Sequence, residues 1–189
     1  MLSTRNAPLD TGERILAAAA SCVVDFGVER VTLAEIARRA GVSRPTVYRR
    51  WPDTQSIVAA LLTQHITEVM RDAPLLGEDR ESLVRQIVAV TDLLRADRLV
   101  MSVLHSDLAS TYITERLGTS QRMLIDALAA RLRVAQRHGS VRLGDPVQMA
   151  TMVLLIAQST IQSAGIVEAM LDAQALDTEL THTLNGYLS

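Results

Sequence analysis

The chain contains no lysine: all 19 of its basic side chains, histidine aside, are arginine. We read that as genome composition more than chemistry, although arginine suits bidentate recognition of planar acceptors. Cysteine occurs once, at Cys22, which excludes an internal disulfide framework and leads us to expect a reducing, cytoplasmic setting. Cys22 lies in the series Ile15, Ala19, Cys22, Phe26, a helical stripe, and is expected to be a small core residue. Aromatics make up only 3% of a chain that is 48% hydrophobic, so the core must be built from Leu, Val, Ile, Ala and Met. The opening MLSTRNAPLD has no apolar run, so no signal peptide is expected. The four histidines, His65, His105, His138 and His182, are scattered without ligand spacing, so no metal is expected. A phosphate-binding glycine loop, a nucleophile motif and paired carboxylates at a recognisable spacing are all missing, so neither catalytic residues nor a cofactor are expected. One stretch, Val147 to Val167, lacks any charge and has the length of a membrane span. Gln148, Thr151, Gln158, Ser159, Thr160, Gln162 and Ser163 within it argue against a membrane partner.

What is present is concentrated in VTLAEIARRAGVSRPTVYRRW, residues 31–51. Thr32 followed by Glu35 has capping-box spacing, and Val31 with Ile36 stand at the positions of a hydrophobic staple. A helix over 33–40 would bury Ile36, Ala37 and Ala40 and end at Gly41, the residue that most easily takes positive φ. The device then repeats, with Ser43 as cap, Val42 and Val47 as staple, and Pro45 in the first turn where its missing N–H costs nothing. Two short helices joined by a glycine turn make a helix-turn-helix.

With Val47 and Trp51 directed inward, the second helix presents Arg44, Thr46, Tyr48, Arg49 and Arg50 outward. A helix of about seven residues is roughly 10 Å long, and a B-DNA major groove about 12 Å wide admits it. Arginine can fork onto guanine O6 and N7, and a threonine methyl can meet a thymine methyl. The other arginines and the tyrosine hydroxyl suit phosphate oxygens. The candidate DNA-binding set is Thr32, Ser43, Arg44, Pro45, Thr46, Tyr48, Arg49 and Arg50. Net charge is −2, which alone does not suggest a nucleic-acid partner, but its distribution does. Residues 28–56 carry six arginines against three acids, and residues 57–189 carry eleven against fifteen. A basic head on an acidic body is the footprint of one end meeting DNA.

This stretch resembles the DNA-binding segment of the TetR family of bacterial transcriptional regulators. The likeness rests on Thr32, Ile36-Ala37, Ala40-Gly41-Val42-Ser43, Thr46-Val47-Tyr48, Trp51 and Pro52, and upstream on ERILAAAASCVVDFGVERVT; it spans roughly residues 11–70. One departure stands out: where the family often has a lysine near the start of its fourth helix, this chain reads Asp53-Thr54-Gln55-Ser56. Any phosphate contact there would fall to the helix amides.

Residues 1–9 read as a flexible arm, in which Arg5 could touch a phosphate or a minor groove. A first helix starts at an Asp10 or Thr11 cap and ends at Gly27; a fourth runs from the Asp53 cap to about Arg71, with Ile57, Leu61, Ile66 and Val69 as its seam, and stops at Ala73-Pro74. Further helical patterns cover 78–94, 98–109, 111–138 with an interruption at Gly118, a stretch opened by Asp145-Pro146, and 173–188. The expected fold is all-α with about nine helices: a three-helix helix-turn-helix domain over 10–53 and a helical ligand-binding and dimerisation domain over 54–189. The charge-free stretch has two apolar stripes, Ala150, Leu154, Ala157, Ile161, Ala164 and Met149, Val153, Ile156, Thr160, Val167. One would pack on the body and the other on a second subunit. The family resemblance likewise implies a homodimer, with this helix and the last forming a four-helix interface, and a small-molecule pocket in the body. Met101, His105, Tyr112, Met123, Gln158 and Gln162 are candidate pocket residues, as flexible thioethers and polar handles in apolar helices. The expected function is a cytoplasmic, homodimeric repressor of palindromic double-stranded operator DNA, released by a small-molecule effector, and no enzyme. The alternative is a helical small-molecule-binding protein or enzyme with a vestigial head.

Overall fold

In the computed structural model, the described residues are 10–73, 77–106 and 118–189. Among them the chain is all-α, with nine helices, one short 3-10 turn and no strand. The helices are α1 (Thr11–Phe26), α2 (Leu33–Ala40), α3 (Arg44–Arg50), α4 (Thr54–Asp72), α5 (Arg80–Ala96), α6 (Arg98–Leu104), α7 (Thr119–Arg137), α8 (Pro146–Val167) and α9 (Ala173–Leu188). The expectations for residues 1–9, for Pro74, and for the pattern around Ala109 to Tyr112 lie outside the described residues.

Short polar side chains set where most of these helices begin. Asp10, Asp53, Asp79, Asp97, Asp145 and Asp172 each accept amide bonds from the first turn of α1, α4, α5, α6, α8 and α9. Thr32 and Ser43 do the same for α2 and α3. A cap of this kind contributes about 1 kcal/mol and fixes the register of the hydrophobic face behind it. At α1 the choice falls on Asp10, whose carboxylate and the Glu13 side chain satisfy each other's amides. At α2 only half of the expected box forms. The Glu35 amide donates to Thr32 Oγ1 at 3.2 Å, but the Glu35 carboxylate is taken by Arg38 and Arg39 instead.

The head core joins α1, α2 and α3 around Ile15, Val23, Ile36 and Val47, none of which is exposed at all. It does not end at the helix-turn-helix. Ile57, Val58 and Leu61 of α4 belong to it, and so do Leu99 and Val103 of α6. The body core lies among α5, α7, α8 and α9, where Leu83, Leu132, Leu184 and Leu188 are fully buried. A small third cluster of Leu94, Val100 and Ile161 sits between the two, with Leu62 packed on both it and the head core. His65 on α4 is 2.8 Å from the Asp97 carboxylate that caps α6, which pins the connecting helix to its neighbour.

Three expectations need correcting. Phe26, placed on the inward stripe with Cys22, is exposed, its ring covered by the Arg39 guanidinium at 4.6 Å. The helix expected over 98–109 stops at Leu104, where His105 takes a turn conformation and returns its amide to Met101. On α8 the expected partition into two stripes fails. Met149, Ala150, Val153, Ala157 and Ile161 are all buried within the single chain, a face drawn from both stripes. The face left outside carries Met152, Leu155 and Ile166, the last 80% exposed. The body wraps around more of the helix than one stripe, because α5, α7 and α9 all pack on it.

Candidate nucleic-acid interface and body cavity

The geometry of α3 follows from its two ends. Gly41 adopts φ 64, ψ 37, the left-handed turn that lets α3 leave α2 at an angle. Arg14 of α1 donates to the Ala40 carbonyl at 2.9 Å, satisfying an acceptor at the end of α2. Ser43 then caps α3, Pro45 sits in its first turn, and Val47 is its single buried residue. Trp51 is half-buried against the head core, as expected.

Arg44, Pro45, Tyr48, Arg49 and Arg50 are exposed, and Thr46 is half-buried. The Thr46 hydroxyl lies 2.8 Å from that of Ser43, so both are partly engaged in the helix start. Thr32 is exposed beside them at the start of α2. The cations of the head fall into two groups. Arg38 and Arg39 are neutralised within the protein: Glu35 holds both, and Arg39 also binds Asp25 at 2.6 Å. Hydrogen bonds from Arg38 and then Arg39 bring the Glu35 carboxyl down to about 2. Arg50 leans back toward α1, 3.9 Å from Asp10 and directly over Gly12. Arg44 and Arg49 have no ion pair or hydrogen bond among the described residues. Two unspent guanidinium groups and the exposed Tyr48 thus share the outer face of a helix short enough for a major groove.

The body holds a partly open cavity of about 1040 Å³ beneath the head. Ala59, Thr63, Ile66 and Met70 bring one face of α4 to it, and α5, α6, α7 and α8 supply the other walls. Of the expected pocket residues, Gln158 lines it, bonded to Gln121 at 3.4 Å. Met101, His105, Met123 and Gln162 do not line it, and Tyr112 lies outside the described residues. Met123 is on the solvent side of α7 and His105 at the exposed end of α6, whereas Met101 packs on the Leu94–Ile161 cluster. Sequence reasoning missed the α4 face and Arg131. The α7 spacing Gln121, Leu124, Leu128, Arg131 was legible as a stripe, but not as one that faces a hollow. Cys22 is buried in the head core, and burial pushes its thiol pKa up, so it is chemically quiet.

The sequence profile of the bacterial regulatory proteins of the tetR family matches residues 15–61, from α1 to the first turns of α4. Over 188 residues, covering all of both chains, this protein is 73% identical to the uncharacterized HTH-type transcriptional regulator Rv2250c of Mycobacterium tuberculosis. The chain belongs to the TetR family of transcriptional regulators. Its fold agrees with solved structures across nearly its full length. RolR in complex with resorcinol matches with a TM-score of 0.74 at 17% identity, over 95% of this chain and 87% of that one. The SmeT–triclosan complex matches with a TM-score of 0.65 at 22% identity, over 94% and 91%. In this TetR-family regulator the matched segment ends inside α4, at the turns whose Ile57, Val58 and Leu61 belong to the head core.

Proposed function

We propose that this regulator is a cytoplasmic, homodimeric repressor that grips a palindromic operator and lets go when a small molecule fills its body. Residues 10–53 read DNA, with Thr32, Ser43, Arg44, Pro45, Thr46, Tyr48, Arg49 and Arg50 at the interface. Residues 54–189 hold the ligand and the dimer contact. The observation that carries this reading is the double allegiance of α4: Ile57, Val58 and Leu61 belong to the head core, while Ala59, Ala60 and Thr63 line the cavity. Val103 of α6 does both at once. A molecule that fits the cavity better with α4 displaced therefore moves the head, by an amount set by its differential affinity for the two arrangements. RolR in complex with resorcinol and the SmeT–triclosan complex, which share this fold, support a small-molecule ligand for this chain.

The exposed Met152, Leu155 and Ile166 of α8, with α9 beside them, are the surface proposed to meet a second copy. Apolar side chains aligned on one charge-free helix are costly to leave in water. Pairing across a twofold axis would set two α3 helices to half-sites about one or more helical turns apart. The alternative of a carrier or enzyme with a vestigial head is disfavoured by the outward, unpaired arginines of α3, which would serve no purpose there.

A gel-shift titration against the intergenic DNA beside the gene tests this reading, repeated with a small-molecule panel. The wild type should protect a short palindrome and release it with at least one ligand. Arg44→Ala and Arg49→Ala should each cost about 1–3 kcal/mol at one base position if they read guanine. If they meet only phosphate, the loss should be uniform across sequences, with a shallower salt slope. Equal binding by the wild type and the double variant would remove the proposed reading face.

A further inference from the structure

We infer that the effector is an anionic amphiphile, an apolar chain ending in a carboxylate or like acid that Arg131 receives at the cavity end beside the α4–α5 connection. The inference rests on the proposed ligand-bearing role of the body and adds the chemical class of the ligand. Along α7 the wall runs Gln121, Leu124, Leu128, Arg131, with a polar residue at each end and leucines between. That stripe spans roughly 15 Å at the helical rise. At one end, Gln121 is occupied with Gln158. At the other, Arg131 spends one nitrogen, Nη2, on the Gly77 carbonyl at 2.5 Å, while Nη1 is buried with no hydrogen-bond partner among the described residues.

A buried guanidinium nitrogen without an acceptor is costly, and such groups ordinarily find one. The nearby acids do not supply it. Asp79 gives its carboxylate to the Ser82 amide and hydroxyl, both at 2.8 Å. Glu78 lies 3.8 Å from His138. The described cavity lining holds two arginines, Arg71 and Arg131, and no carboxylate. Burial presses the Arg131 pKa downward and outweighs the opposing charges of Glu78 and Asp79, so its charge is held at a cost that an anion in direct contact would relieve. Other buried and unpaired atoms, Arg80 Nε and Arg95 Nη1, belong to residues away from the lining, and Arg95 already bridges Asp92 and Asp177. The site thus pairs a long greasy wall with arginine and no carboxylate, and of its two arginines Arg131 is the one with a buried, unpaired nitrogen, the usual division between affinity and orientation in a ligand pocket.

The test is isothermal titration of the full-length protein with decanoate and with 1-decanol, matched in chain length and differing in the head. Wild type should prefer decanoate by roughly tenfold or more, the worth of one hydrogen bond to a charged group. Arg131→Gln should bind decanol as before and lose the preference, while Arg131→Lys should retain part of it. Unchanged decanol binding also shows that the variant cavity is intact. Equal wild-type affinity for acid and alcohol would overturn the anionic class yet leave a ligand-filled body standing. A preference that survives in Arg131→Gln would overturn the role given to Arg131. Binding of neither probe by the wild type would sink the amphiphile itself, whereas the gel shift with the small-molecule panel decides the regulator reading independently.

Discussion

The head and the body of this protein solve opposite packing problems. The head closes a small core in which Ile15, Ile36 and Val47 are fully buried. The body leaves about 1040 Å³ unfilled and an apolar stripe on α8 in the open. A reading device must hold its side chains still, since a recognition helix displaced by an ångström loses its register. If the body senses a ligand as proposed, it must keep space and uncovered surface that something else completes. The joint between them is α4 and α6, whose residues enter the head core and pack on the small Leu94–Val100–Ile161 cluster between head and body.

The contrast predicts unequal responses to the same kind of damage. Ile36→Ala in the closed head core should cost about 2–5 kcal/mol in urea denaturation. Leu128→Ala, on a wall that already borders empty space, should cost clearly less; equal losses would mean that the hollow is filled or collapsed in solution. Next in size, Leu155→Asp on the exposed face of α8 should weaken self-association by about 2–4 kcal/mol. Sedimentation should then show monomer where the wild type shows dimer, and an unchanged mass would move the interface elsewhere. Smaller still, Ser43→Ala removes the α3 cap and should cost about 1 kcal/mol of stability. Because Arg44 and Arg49 remain, DNA affinity should fall by less than for the arginine variants, and a larger fall would mean that the Ser43 contact outweighs those of the arginines.

The smallest expected effect concerns Glu35. Its pKa in the folded head is lowered to about 2 from an ordinary carboxyl value of 4.5 by its bonds to Arg38 and Arg39. A depressed folded pKa means stability that is present above the unfolded value and lost as pH falls toward the folded one. The stability gap between wild type and Glu35→Gln should therefore be widest near neutrality and close between pH 4.5 and 2. The Glu35–Arg38–Arg39 cluster lies at the surface, with Arg38 exposed, so the gap should be small and shrink with salt. A gap independent of pH would place the role of Glu35 in packing rather than charge.

The legible part of the fold was the part written in neighbouring residues. Thr32, Gly41, Ser43, Pro45 and Val47 each act within one helical turn, and each sits where its local chemistry puts it. The Asp10, Asp53 and Asp145 caps were readable for the same reason. Legibility failed where the outcome depended on a distant partner. Phe26 was lost to Arg39, and the Glu35 half of a capping box to two arginines. Met123 and His105 had suitable chemistry but face solvent, which periodicity could not reveal.

By itself, then, the order of residues determined an all-helical chain, the helix-turn-helix and the arginine-edged outer face of α3, because caps, staples and glycine turns are satisfied by neighbours three or four positions away. Tertiary structure alone decided which arginines remain unspent, which face of α8 stays uncovered, and that Arg131 ends a hollow wall with one nitrogen unpaired. Those outcomes are set by residues tens of positions apart competing for the same charge or the same space, and a one-dimensional pattern carries no record of who wins.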